Sequence, residues 1–102
     1  MPEIQKAPSI RRGIKRRSFT SERLKVILIN DDVTTFDFVI RMLIEIFFCD
    51  ESTAMALAVE TDTNGQAEVG TYPADIAKSK VSAAIAMARS ENFPLQIITQ
   101  NA

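Results

Sequence analysis

Between Lys25 and Phe47 the apolar pattern changes from a continuous run to a helical repeat, and that change does most to limit what this chain can fold into. Lys25 to Ile29 (KVILI) is short, apolar and rich in β-branched residues, the pattern of a strand buried on at least one face. Asn30-Asp31-Asp32 ends it. Phe36, Val39, Ile40, Leu43, Ile44 and Phe47 then recur at i, i+3, i+4, i+7, i+8 and i+11, which predicts an amphipathic helix from about Thr35 to Phe48. Thr34 or Thr35 serves as its N-cap, and Asp37, Arg41 and Glu45 form its charged stripe. The apolar arc is wide. It implies either burial between a sheet and another helix or an exposed apolar ridge of Phe38, Met42 and Ile46.

Downstream, Asp50 caps a second helix from about Glu51 to Thr61, with Met55, Ala58 and Val59 on one face. Asn64-Gly65 signals a turn, and Ala67, Val69 and Thr71 alternate with polar or small residues as a half-buried strand does. Pro73 suits the start of a third helix, whose inner stripe is Ala77, Val81, Ala84, Ile85 and Ala88. Asn92 and Pro94 stop that helix, and Leu95 to Thr99 forms the last strand. The order β-α-α-β-α-β predicts an α+β domain: a three-stranded sheet with three helices packed on one face.

A chain of 102 residues holds one such domain. It contains no His, so the usual general base and the commonest metal ligand are missing, which weighs against a metalloenzyme or a Ser/Cys-His hydrolase. No cofactor is expected. The lone Cys49 cannot form an intramolecular disulfide and reads as a half-buried thiol at the end of the first helix. No apolar run reaches the roughly 18 residues of a membrane span, so no membrane is expected and the location reads as cytoplasmic. An Arg- and Ser-rich, acid-poor start leaves a targeting segment as the competing reading of residues 1–23.

The net charge of −1 conceals an asymmetry. Residues 1–23 carry seven basic and two acidic residues, +5, whereas residues 24–102 carry five basic and eleven acidic residues, −6. The first segment, with Pro2, Pro8, Gly13 and no apolar period, is expected to be a disordered basic extension, and 24–102 the folded domain. The extension reads as a solubilising arm, a polyanion-binding tail or an element used by a partner. Nucleic acid is the weakest of these, since only Phe19 offers an aromatic ring for base stacking.

Asn-Asp-Asp at a strand end either turns the chain and caps the next helix, or presents acceptors that converge on an ammonium group. The NDD turn, the string DFVIRMLIEIFF, and the later AMALAV, ADIAKSKV and FPLQI together resemble the ClpS family of adaptors, of which this chain would be a divergent member. The resemblance implies an antiparallel sheet and a non-enzymatic adaptor. Such an adaptor binds substrates with a free, large apolar N-terminal residue (an N-degron) and delivers them to a Clp-type AAA+ unfoldase. It further implies that Asn30 and Asp31 bind the amine, with Glu60 where the family has a His. Thr61 and Asp62 are the neighbours able to fill the same space. Phe36, Ala56, Val59 and Leu95 would line the side-chain pocket, and Asp75 and Lys80 would dock the N-domain of a ClpA- or ClpC-like unfoldase. By the same resemblance the extension is what the unfoldase engages. Two alternatives stand beside this: an adaptor that binds the chaperone but has lost the N-degron site, signalled by Glu60, and a polyanion binder acting through the basic tail.

Overall fold

The computed structural model describes residues 22–102. The expectation for residues 1–23 therefore lies almost wholly outside the described residues. Six elements follow in the expected order: β1 (Arg23–Ile29), α1 (Phe36–Phe47), α2 (Glu51–Asn64), β2 (Gln66–Pro73), α3 (Ala74–Ser90) and β3 (Gln96–Asn101). The sheet is three-stranded and antiparallel in the order β2-β1-β3. Its first strand starts at Arg23, two residues before the apolar run, because Arg23 and Leu24 still pair with Pro73 and Tyr72. A bulge between Val26 and Ile27 shifts the β1–β2 register.

Alternation along β1 sets the layers. Leu24, Val26 and Leu28 point into the core with Ile97 of β3, and the helices cover that face. From α1 come Phe38, Val39, Met42, Leu43 and Phe47, while α2 and α3 contribute mainly alanines: Ala54, Ala58, Ala74, Ala77, Ala84 and Ala88. Small side chains let these two helices approach closely, so the bulk of the core comes from β1 and α1.

The apolar arc of α1 faces inward on a different edge from the one its sequence suggests. Phe38 and Met42 have no exposed surface, so they form no ridge; the exposed edge is Phe36 and Ile44 at 43% and 38%. The reason is that α1 packs against both α2 and α3, and Phe38 faces the Phe93 ring, 5.2 Å between centroids.

Both predicted caps form. Thr35 Oγ1 accepts the Phe38 N–H at 3.2 Å and Asp50 Oδ1 accepts the Thr53 N–H at 2.7 Å. Helix α2 runs three residues further than expected, to Asn64, and Gly65 at φ +87° closes it in the left-handed region that glycine adopts freely. The far end of α1 is closed by Phe48 at φ +56°, where the Cys49 N–H reaches back to the Leu43 carbonyl at 3.2 Å.

Candidate functional site

Gly65 fastens two segments together. Its N–H donates to Thr61 O at 2.9 Å, ending α2, and its carbonyl accepts the Asn30 N–H at 3.0 Å. The last turn of α2 is thereby held against the NDD turn that follows β1. The result is a recess of about 300 Å³. Asn30, Asp31, Asp32 and Thr34 reach it from the turn, Phe36 and Val39 from α1, and Ala58, Thr61 and Asp62 from α2.

Asp31 organises the turn. Its Oδ1 accepts the Val33 and Thr34 N–H groups at 2.8 and 2.7 Å, and its Oδ2 accepts the Thr34 hydroxyl at 2.7 Å. Burial is the largest single influence on this carboxyl and raises its pKa. The Thr34 and Val33 hydrogen bonds, with the charge of Arg89, together outweigh it and hold the group below the ordinary 3.8. Asp31 is thus an anion with acceptor capacity left on Oδ2. The side chains of Asn30 and Asp62 have no hydrogen-bond partner among the described residues, whereas the buried Thr61 gives its hydroxyl to Leu57 O at 2.7 Å.

Of the residues singled out in the sequence, Asn30, Asp31 and Phe36 line the recess, and so do Thr61 and Asp62, the neighbours able to fill the space of Glu60. Ala56, Val59 and Glu60 do not: all three are exposed. Ala58, Thr61 and Asp62 stand at i, i+3 and i+4, one face of the helix, while 56, 59 and 60 fall on other faces. Leu95 is 1% exposed and belongs to the core. Sequence reasoning placed neither Val39 nor Ala58 at the site, although the run Ala54, Ala58, Thr61 leading to Gly65 carries the signal for the inner face of α2.

The two residues assigned to docking behave differently. Asp75 is exposed in the first turn of α3. Lys80 is half-buried, its Nζ donating to Ile46 O at 2.9 Å and lying 4.4 Å from the centroid of the Phe48 ring. A cation there satisfies a terminal carbonyl of α1 and complements its dipole. Lys80→Ala is expected to lower stability by about 1–2 kcal/mol, a drop of roughly 5–15 °C in Tm, measured by thermal unfolding. An unchanged Tm would mean that the lysine stabilises nothing and is free for a partner.

Cys49 is a poor nucleophile, because burial and the neighbouring Asp50 charge push its thiol pKa up. Among the described residues no group of three or more His, Cys, Asp or Glu is placed to hold a metal ion, and no helix is long and apolar enough to cross a membrane.

A turn that converges acceptors on a small recess with an apolar border has the arrangement of a recognition domain. The family comparisons give the same class. Residues 20–98 match the family model described as ATP-dependent Clp protease adaptor protein ClpS. Proteins named ATP-dependent Clp protease adapter protein ClpS are 41% identical in Nautilia profundicola, over 74% of this chain and 78% of that protein, and 41% identical in Treponema denticola, over 81% and 82%. The counterpart in Wolinella succinogenes is 34% identical over 95% of this chain and 97% of its own. A structure of Agrobacterium tumefaciens ClpS2 bound to L-phenylalaninamide superposes with a TM-score of 0.77 at 31% identity, covering 79% of this chain and 98% of that one. The chain belongs to the ClpS family, and is an adaptor and not itself an enzyme.

Proposed function

We propose that the recess receives the free N-terminal residue of an N-degron, which the adaptor then presents to a Clp AAA+ unfoldase. Asn30, Asp31 and Asp62 accept hydrogen bonds from the ammonium group, and Phe36, Val39, Ala58 and Thr61 surround the first side chain. The observation that carries this reading is the convergence of Asn30, Asp31 and Asp62 on one recess bordered by Phe36 and Ala58. Asp62 takes the place that the sequence resemblance gave to Glu60, and Ala58 and Thr61 take those given to Ala56 and Val59. The ligand of the Agrobacterium protein, L-phenylalaninamide, supports it too, because that molecule is a free α-amine joined to an apolar side chain with its carboxyl masked.

The energetics are adequate. Charge-assisted hydrogen bonds contribute roughly 1.5–3 kcal/mol each, and burial of one large apolar side chain about 1.5–3 kcal/mol. After the costs of association, micromolar affinity is expected. The partner would be the N-domain of a ClpA- or ClpC-like unfoldase, with Asp75 as the exposed contact on α3 and Lys80 contributing beside the Phe48 ring.

Anisotropy titrations with peptides beginning with Leu, Phe, Tyr or Trp test the reading. An N-acetylated Phe peptide should bind at least about thirtyfold more weakly, because acetylation removes the charge and leaves the acceptors unpaired. Asp62→Ala should weaken binding of the free peptides roughly 10- to 150-fold, while Glu60→Ala should leave it within about twofold. The opposite pattern would move the acceptor to Glu60, and equal binding of free and acetylated peptides would remove the amine clamp altogether.

A further inference from the structure

Beyond the recess, the seam between α1 and α2 carries a second concavity. It has about 420 Å³, an apolar floor of Ile40, Ile44 and Met55, and carboxylates at Asp37, Glu45 and Glu51. Ile44 and Met55 are 38% and 47% exposed, so the floor is open to a partner. Among the described residues the only cation lining it is Arg41, and both its terminal nitrogens are held by Glu91 of the α3 cap at 2.6 and 2.9 Å. Three carboxylates thus stand around an apolar floor whose one positive group is already paired elsewhere. An apolar groove edged in this way fits a segment that alternates apolar and cationic side chains.

The chain contains one. Between Ser9 and Phe19 the sequence reads SIRRGIKRRSF, with Ile10 and Ile14 set among five basic residues and no acidic one. This segment lies outside the described residues, and it leads directly into Glu22, whose carbonyl accepts the Ala74 N–H at 3.2 Å. The eight residues from Ile14 to Ser21 reach at most about 26–29 Å, comparable with the width of an 81-residue domain whose radius of gyration is about 12 Å. A groove that lies within that contour of Glu22 along the domain surface is therefore within reach of Ile14. A tether of this length gives a millimolar effective concentration, so a contact of millimolar intrinsic affinity is about half occupied.

A second apolar groove offers the segment less. The apolar groove between α3 and β3 has Lys78 as its only ionisable group among the described residues, and that cation repels a cationic occupant. We infer that the basic segment Ser9–Phe19 docks, within the same chain, on the acidic-edged groove formed by Ile40, Ile44, Glu45, Glu51 and Met55. Its isoleucines contact the floor and its Arg and Lys side chains pair with the three carboxylates. A segment seated there is held on the folded domain at low ionic strength and is released as salt shortens the Debye length from about 30 Å at 0.01 M to about 8 Å at 0.15 M. The inference does not depend on what the recess binds.

Paramagnetic relaxation tests it on the full chain. With Cys49→Ser and a nitroxide on Ser9→Cys, the amide signals of Ile40, Ile44 and Met55 should lose at least about half their intensity at 0.01 M salt relative to the reduced label, because the seated segment lies within its reach. The loss should vanish at 0.5 M salt, and also with Glu45→Lys and Glu51→Lys combined. Reversing the segment instead, with Arg11→Glu, Arg12→Glu, Arg16→Glu and Arg17→Glu, leaves the folded domain untouched and should abolish the effect as well. Combining the two sets of reversals should restore it. Broadening centred on Asp31 and Thr61, or spread evenly over the domain, overturns the assignment. Broadening of an isotope-labelled, nitroxide-free chain mixed with an unlabelled nitroxide-bearing one would put a second copy in the groove and overturn the intramolecular docking.

Discussion

Asp31→Ala is expected to weaken N-degron binding at least about a hundredfold, the largest effect of any single change in the recess. One part is the lost charge-assisted bond to the ammonium, roughly 1.5–3 kcal/mol. The other is the turn itself. Without the carboxylate, the Val33 and Thr34 N–H groups and the Thr34 hydroxyl lose the acceptor that holds them at 2.7–2.8 Å. The stretch after Asn30 then loses its anchor, while the Asn30 N–H keeps its bond to Gly65 O. Asp31→Asn separates the two parts, because its amide oxygen still accepts the backbone N–H groups while the charge is gone. It should keep stability within about 1 kcal/mol yet bind peptides roughly 10- to 100-fold more weakly. Equal affinity of Asp31→Asn and the unaltered chain would sink the role of the charge.

The same carboxylate sets the pH response. The folded-state pKa of Asp31 is depressed, so its contribution is present above the unfolded value and is lost as pH falls through the folded value, below 3.8. A receptor clamping an amine through an imidazole would change near pH 6.5, whereas this chain has no His. Affinity is therefore expected to be flat between about pH 5 and 7. It should decline above about 8, as the peptide ammonium loses its proton. Titration of a Phe-start peptide across that range, with a step near 6.5 as the contrary result, checks it.

The NDD turn and Phe36 were legible in the sequence because they sit within seven residues of one another, and strand, turn and N-cap each have local chemical signatures. The face of α2 was not. Its alanines at 54, 56 and 58 give nearly equal hydrophobicity all round the helix. The larger apolar residues, Met55 and Val59, are the exposed ones, at 47% and 49%, while Ala54 and Ala58 are buried because close helix packing selects for small size. The AMALAV match therefore pointed at Glu60, with a short loop before the helix and a long segment after it. The caps set the geometry: Asp50 at one end and Gly65 at the other bound a helix of 14 residues, whose last turn brings Thr61 and Asp62 to the recess. Lys80 illustrates a different limit, since nothing in the local string reports that its Nζ lands on Ile46 O, 34 positions away.

The second large effect lies in the core behind the recess. Phe38→Ala is expected to cost about 3–5 kcal/mol, because Phe38 is fully buried and its ring meets Phe93 in a tilted pair at 5.2 Å. At roughly 0.05–0.15 kcal/mol per residue, a domain of this size has only about 4–12 kcal/mol in all, so the variant should melt some 15–30 °C lower. The consequence reaches the site through the backbone. Phe38 N–H is the donor held by the Thr35 cap, and Phe36 and Val39 flank it on the recess side. A cavity at Phe38 lets the start of α1 collapse inward and displaces that apolar wall. Phe38→Leu retains most of the volume and should keep both the fold and peptide binding, at about 1–1.5 kcal/mol. Phe48→Ala serves as the contrast: the ring is 79% exposed, and its loss should cost less than about 1 kcal/mol. Thermal melts of the three variants, paired with peptide titrations below each melting point, test the link between core and recess. A Phe38→Ala chain melting within a few degrees of the unaltered one would show that the packing of α1 does not hold the recess in shape.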